Sequence, residues 1–191
     1  MSKVAIVGDP SGTGTFTISA PNGNTDRTLV LPDEAGTVLT SASNVAQKGV
    51  PIFRATKNAS SQAITVNTST KVIYDTVVVD STSSYDSGNS RYTPSVAGYY
   101  LVKCSADIGA NTNTLSRAQI MIFKNGSNYS SMGPVVSGFV GTEAGSMNVD
   151  LVYLNGSTDY IETYVYISGT SPIVYNSSSW TNFSAILVRA D

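Results

Sequence analysis

The chain has 191 residues, a formal net charge of −2 and a charged fraction of 13%, with its eleven Lys and Arg residues scattered singly. Without a basic cluster there is nothing to displace counterions from a phosphate backbone, which argues against nucleic acid as a partner. No apolar run approaches the ~18 residues of a membrane span, and with no His in the sequence Ser-His-Asp, Cys-His and most zinc chemistry is excluded.

This length accommodates one domain of about 130–150 residues and an accessory segment, large enough to need no disulfide. Ser, Thr, Asn and Gly stand where Lys and Glu are usual, and Val, Ile and Tyr supply the apolar material. That mixture favours strands linked by turns.

The start, MSKVAIVGDPSG, carries an apolar run of only four residues, Val4 to Val7. It is too short for a signal-peptide core, so assembly in a cytoplasm is expected, in keeping with the single Cys104. The following GDPSGTGT lacks the Lys of a phosphate loop and the third Gly of a dinucleotide fingerprint, and reads as a turn. Residues 15–18, 28–31 and 37–39 read as brief strands, separated by turns at PNGN (21–24) and PDEAG (32–36). Strands this short bury no core of their own. Residues 1–45 are therefore expected to form an arm that packs on something else.

A joint at 44–51 leads into longer strands, expected at 71–80, 99–106, 118–124, 148–154, 160–168 and 183–189. Tyr100, Val102, Cys104 and Ala106 share one face, with Lys103 and Ser105 on the other. Asn125-Gly126 and Asn155-Gly156 are hairpin turns. No segment shows sustained helical periodicity. The predicted fold of residues 52–191 is an all-β sandwich or jelly roll.

Cys104, on the apolar face, is read as a buried structural thiol. Among the carboxylates, Glu143, Asp150, Asp159 and Glu162 lie closest in sequence. A glycosidase needs two carboxyl groups about 5–10 Å apart across a cleft, but Asp159 and Glu162 border a hairpin, where solvated ends are usual. No catalytic or cofactor-binding residue is assigned, and the protein is expected not to be an enzyme. Tyr160, Tyr164 and Tyr166 share one face of a strand whose other face, Ile161, Thr163, Val165 and Ile167, forms a complete core set. Such a row faces solvent or another subunit. A subunit interface is favoured over a glycan-stacking platform.

The order of elements carries a resemblance. Phe53-Arg54-Ala55, then Tyr85-Asp86, then YTPSVAGYY (92–100), a Lys-Asn-Gly hairpin at 124–126 and the closing FSAIL (183–187) follow one another as in the globular heads of the C1q/tumour-necrosis-factor-like family. The chain departs from that pattern at Gly156-Ser157-Thr158-Asp159, two residues longer than the usual Gly-Asp turn, and at Ala185, where the family has Gly. The resemblance implies a ten-stranded jelly roll assembled as a homotrimer, and the subunit interface read from Tyr160, Tyr164 and Tyr166 is then the trimer interface. It also raises calcium, which such heads often hold near the axis. Asp75, Asp80, Asp86 and Asp107 are spread among separate turns, however, and no metal ligand is assigned.

A second resemblance covers SGTGTFTISAPNGNTDRTLVLPDEAGTVLTS (11–41), which is similar to a short module of bacteriophage tail-fibre and other virion proteins. Together the resemblances imply a non-enzymatic structural protein of a virion, partnered by itself and, through residues 1–45, by other virion proteins. One role is the head of a tail fibre or spike that meets a host-surface glycan through loops 81–90, 109–115, 137–146 and 169–180. The other is a capsid decoration protein whose arms clamp the shell.

Overall fold

The computed structural model describes residues 11–15, 17, 22–26, 28, 50–111, 113–133 and 141–191. The chain divides into two units, Met1–Thr40 and Ser41–Asp191. In the first, residues 22–25 bend where the PNGN turn was expected, and Thr15, Thr17 and Thr28 lie outside any strand. The other positions of the three strands expected there are outside the described residues.

The second unit is all β. In chain order its strands are β1 (Ile52–Thr56), β2 (Gln62–Ala63), β3 (Thr70–Lys71), β4 (Thr76–Asp80), β5 (Tyr85–Asp86), β6 (Arg91–Tyr92) and β7 (Ala97–Gly109). They continue as β8 (Arg117–Lys124), β9 (Ser127–Met132), β10 (Glu143–Asn155), β11 (Ile161–Ser168), β12 (Ile173–Val174) and β13 (Asn182–Ala190). A seven-stranded sheet runs β2-β12-β7-β13-β1-β4, with β10 on the other edge of β7. A six-stranded sheet runs β5-β6-β11-β8-β9, with β3 added to β11. All pairings are antiparallel.

The two sheets enclose one core, built by the period-two alternation of each strand. From β7 come Tyr100, Val102, Cys104, Ala106 and Ile108, and from β11 Ile161, Val165 and Ile167. The buried Cys104 thiol is pushed up to about 12 by desolvation. The aromatics of the family-like segments, far apart in sequence, meet here. Phe53 stacks on Tyr85 at 4.5 Å and on Tyr92 at 4.8 Å, and meets Phe183 edge-on at 5.1 Å.

The strand expected at 71–80 is two strands in different sheets. β3 pairs with β11, and β4 pairs with β1. Between them Val72 and Tyr74 are fully buried, and the Tyr74 N–H donates to the Ser90 hydroxyl at 3.0 Å instead of to a strand. The strand-forming residues of 71–80 span a chain crossing from one sheet to the other, which composition alone does not distinguish from a single strand. At the predicted hairpin, Asn125 and Gly126 have φ of 51° and 77°, the pair of positive values a type I′ turn needs. Asn155 acts differently: its side-chain oxygen accepts from the N–H groups of Ser157, Thr158 and Asp159, capping a longer loop.

Candidate functional site

The outward face of the seven-stranded sheet is apolar along one row. Leu151 of β10, Leu101 of β7, Ile186 of β13 and Ile52 of β1 are cross-strand neighbours in register, and each is 36–47% exposed. On one side the row is flanked by Tyr99 and Tyr153, edge-to-face at 5.3 Å, and on the other by Val149 and Met147, both exposed. Charged side chains normally blunt such a sheet face. A contiguous apolar area of this kind marks an interaction surface.

Further along the same face the character changes. The outward positions of β7 become Lys103, Ser105 and Asp107, and those of β10 become Gly145 and Glu143. Here two adjoining open clefts of about 350 Å³ each share Gly145 and Trp180 as lining. Lys103, Ser105 and Met147 line the first, and Asp107 and Glu143 the second.

Trp180, the only Trp of the chain, is 66% exposed and is set by a braced loop. The buried Thr181 hydroxyl donates to the Tyr175 carbonyl at 3.0 Å and accepts from the Asp107 N–H at 3.1 Å. The Tyr175 N–H donates back to the Asp107 carbonyl at 2.9 Å. Gly109 makes room for this loop, since a Cβ there would lie 2.5 Å from the Tyr175 ring. Asp107 and Glu143 interact on the open side. Burial first, then the hydrogen bond and charge of Glu143, push the Asp107 carboxyl up to about 6.

The sequence-predicted residues fall elsewhere. Tyr164 and Tyr166 of β11, with Tyr160 just before it, lie on the outward face of the other sheet, and Ile161, Thr163, Val165 and Ile167 are fully buried on the inner side. Each tyrosine has a neighbour within its own chain. Arg91 sits 3.7 Å over Tyr160, Phe123 stacks on Tyr164 at 4.0 Å, and Arg117 sits 4.3 Å over Tyr166. The row is thus covered in part by side chains of adjacent strands, a third option beside solvent and another subunit.

Glu162 is no solvated hairpin end. It is 2% exposed and paired with Lys71 and Arg91, both at 2.8 Å. Burial acts to raise its carboxyl, but the hydrogen bonds and charges of Lys71 and Arg91 together outweigh it and hold the group below the usual carboxylate range. Asp159 pairs with Lys124 at 2.9 Å, and Asp150 accepts from the Leu151 N–H. Glu143 is brought to Asp107 instead of to either of them.

Of the aspartates considered for calcium, Asp107 faces Glu143 and the other three are spent on turns. Asp75 accepts from the N–H groups of Asn58 and Ala59, Asp80 from that of Tyr85, and Asp86 from those of Gly88 and Asn89. Among the described residues no three acidic or Cys side chains converge as a metal site would need. This donor set does not fit the ion.

Loops 109–115 and 169–180 do converge. The Asn111 N–H donates to the Thr170 carbonyl, and the Thr170 N–H to the Thr114 hydroxyl. The described part of 137–146 joins them, with Leu115 bridged to Gly141 and the Ala110 N–H donating to the Thr142 carbonyl. Loop 81–90 joins β4 to β6 instead, and its Asn89 carbonyl accepts from Lys71.

The class of fold follows from this geometry. The chain is an all-β jelly roll of the kind found in C1q and tumour-necrosis-factor heads. The globular domain of zebrafish complement 1qA superimposes with a TM-score of 0.54 at 11% identity, covering 74% of this chain and 99% of that one. Murine APRIL gives 0.54 at 8% over 73% and 99%, and the Eiger TNF of S. frugiperda gives 0.56 at 6% over 74% and 94%. At such identities the likeness concerns the fold alone.

In sequence, the chain is similar to the phage-like element PBSX protein XkdV of Bacillus subtilis (strain 168), at 30% identity over 138 residues. The match takes in 66% of this chain, and the chain spans 19% of that protein's length. No protein-family model matches. No helix among the described residues is long and apolar enough to cross a membrane.

Proposed function

We propose that this chain is a non-enzymatic, homotrimeric structural protein of a bacteriophage or phage-like particle, serving as the head of a tail fibre or spike that attaches the particle to its host. The observation that carries the assembly is the in-register row Leu151–Leu101–Ile186–Ile52, an apolar strip on a sheet face that needs covering. Similarity to a phage-element protein supports the virion as its setting. In this reading residues 1–45 are the arm that joins the head to other virion proteins, and the seven-stranded sheet is the principal contact between copies. The row of Tyr160, Tyr164 and Tyr166 is the second candidate for that contact, with less area to offer because Arg91, Phe123 and Arg117 already cover it.

Attachment is favoured over capsid decoration by the convergence of three loop regions beside the clefts at one end of the head. Three copies on a threefold would present each loop three times and turn weak contacts into avidity. The test is retention of the purified, fluorescently labelled chain on cells of the particle's host. Saturable retention, reversed by excess unlabelled chain, supports attachment. Absence of retention, with binding to emptied capsids instead, makes this a decoration protein.

A further inference from the structure

We infer that the paired clefts around Trp180 bind a neutral oligosaccharide, one sugar ring stacking on the indole. The inference rests on the attachment reading and names its ligand class and site. Three features of the clefts converge on it. The first is the ring itself. Trp180 lies against Gly145, where even a Cβ would meet Cε3 and Cζ3 at 3.9 Å, and it is two-thirds exposed on a loop tied to β7 through Thr181. An aromatic plane held open in this way costs little ordering on binding and offers its face to the C–H side of a pyranose.

The second is an unmet polar group. Ser105 lines the first cleft, is only 9% exposed, and its hydroxyl has no partner among the described residues. The oxygen is closed to solvent as it stands, so a ligand hydroxyl pairs with it once the Ser105 side chain turns to another rotamer toward the cleft, which removes the cost of an unpaired buried hydroxyl.

The third is the balance of charge. Lys103 lines one cleft, Asp107 and Glu143 the other. A cationic ligand would meet Lys103, and an anionic one would meet the carboxyl pair. A neutral polyol meets donors on one side of the indole and acceptors on the other, the alternation that sugar hydroxyls satisfy. Each cleft, at about 350 Å³, lies within the range of roughly 300–1,000 Å³ usual for small-ligand sites. Two of them astride one indole suit a chain of sugars better than a single ring.

The second cleft stays clear of the proposed contact between copies, while Met147 and Lys103 of the first cleft adjoin its edge. Asp107 lies six positions along β7 from Leu101, about 20 Å at strand rise. Burying a carboxyl pair and Lys103 in a self-contact would be costly, which confines that contact to the apolar end.

Because Trp180 is the only Trp, its fluorescence reports on the site directly. The full chain is titrated with neutral hexose and N-acetylhexosamine tetrasaccharides, with a sulfated tetrasaccharide as control. Saturable change and protection from acrylamide quenching by at least one neutral glycan, absent with the sulfated one, are expected. Asp107→Asn, Glu143→Gln and Ser105→Ala should each weaken binding about tenfold or more while leaving the far-ultraviolet dichroism unchanged. No saturation with any neutral glycan overturns the inference, as does a preference for the sulfated one. Host-cell retention of Trp180→Ala separates the two claims. If the parent chain is retained and Trp180→Ala equally so, the cleft assignment falls and attachment stands. If the parent chain is not retained, attachment falls and the cleft assignment is decided by the fluorescence titration.

Discussion

Replacing Leu151 by Lys puts a charge at the β10 end of the apolar row, between Val149 and Tyr153. Leu151 is 47% exposed in the single chain, so about half of the ~1.5–3 kcal/mol available from burying a leucine remains to be gained on association, close to 1 kcal/mol. The lysine forfeits that and must leave water, adding a penalty of about 2–4 kcal/mol. With ~1.4 kcal/mol per factor of ten, a loss of about 3–5 kcal/mol at each subunit contact weakens association by at least a hundredfold.

Static light scattering over a concentration series measures this. The parent should show a mass near three times the 20.0 kDa chain, and Leu151→Lys should fall toward the single-chain value at micromolar concentration. Its folding stability should move by no more than about 0.5 kcal/mol, because the position is exposed. A variant that stays trimeric refutes the assignment of this face. If Tyr164→Lys dissociates the protein while Leu151→Lys does not, the contact belongs to the tyrosine row.

Gly98 has a φ of 150°, and a Cβ there would lie 2.2 Å from the Arg189 carbonyl oxygen; Gly98→Ala should lower stability by about 2 kcal/mol or more, read as a reduced urea midpoint with an unchanged m-value. Glu162→Gln leaves Lys71 and Arg91 short of their acceptor's charge and should cost about 2 kcal/mol. The folded carboxyl sits below its ordinary value, so its contribution is present above that value and lost as pH falls through the folded one; the variant should show a correspondingly weaker loss in acid. Asp107 has the opposite sign. With its carboxyl raised to about 6, the stability it confers is present below about 3.8 and lost as pH rises through 6. Urea midpoints at pH 4.5 and 7.5 should differ less in Asp107→Asn than in the parent.

Local chemistry made much of the fold legible. The alternation of Tyr100, Val102, Cys104 and Ala106 identified the buried side of β7, and Asn125-Gly126 announced its turn because only that backbone tolerates two positive φ values. The glycine of the AGYY segment is required by the close approach of β13 at Arg189. What escaped depends on contacts between distant strands. The 71–80 segment is rich in strand formers like one strand, yet its partners lie in two sheets. The outward side of the tyrosine row was identified, but Arg91, Phe123 and Arg117, which cover it, come from other strands or the far end of a neighbour. The carboxyl pair joins residues that only the β7–β10 register brings together, with Gly145 opposite Asp107 and Glu143 opposite Gly109. Trp180 lay within a loop already expected to carry recognition. Its singularity in a chain of eleven tyrosines was the one available signal.

Attachment by a virion-borne head requires the protein to stand at the tail of the particle. Particles purified from the strain that carries the gene, labelled with a gold-conjugated antibody to residues 52–191 and viewed by electron microscopy, test it most directly. Gold is expected at the tail tip or fibres. Gold spread over the capsid would contradict it in favour of decoration, and unlabelled particles would remove the protein from the virion.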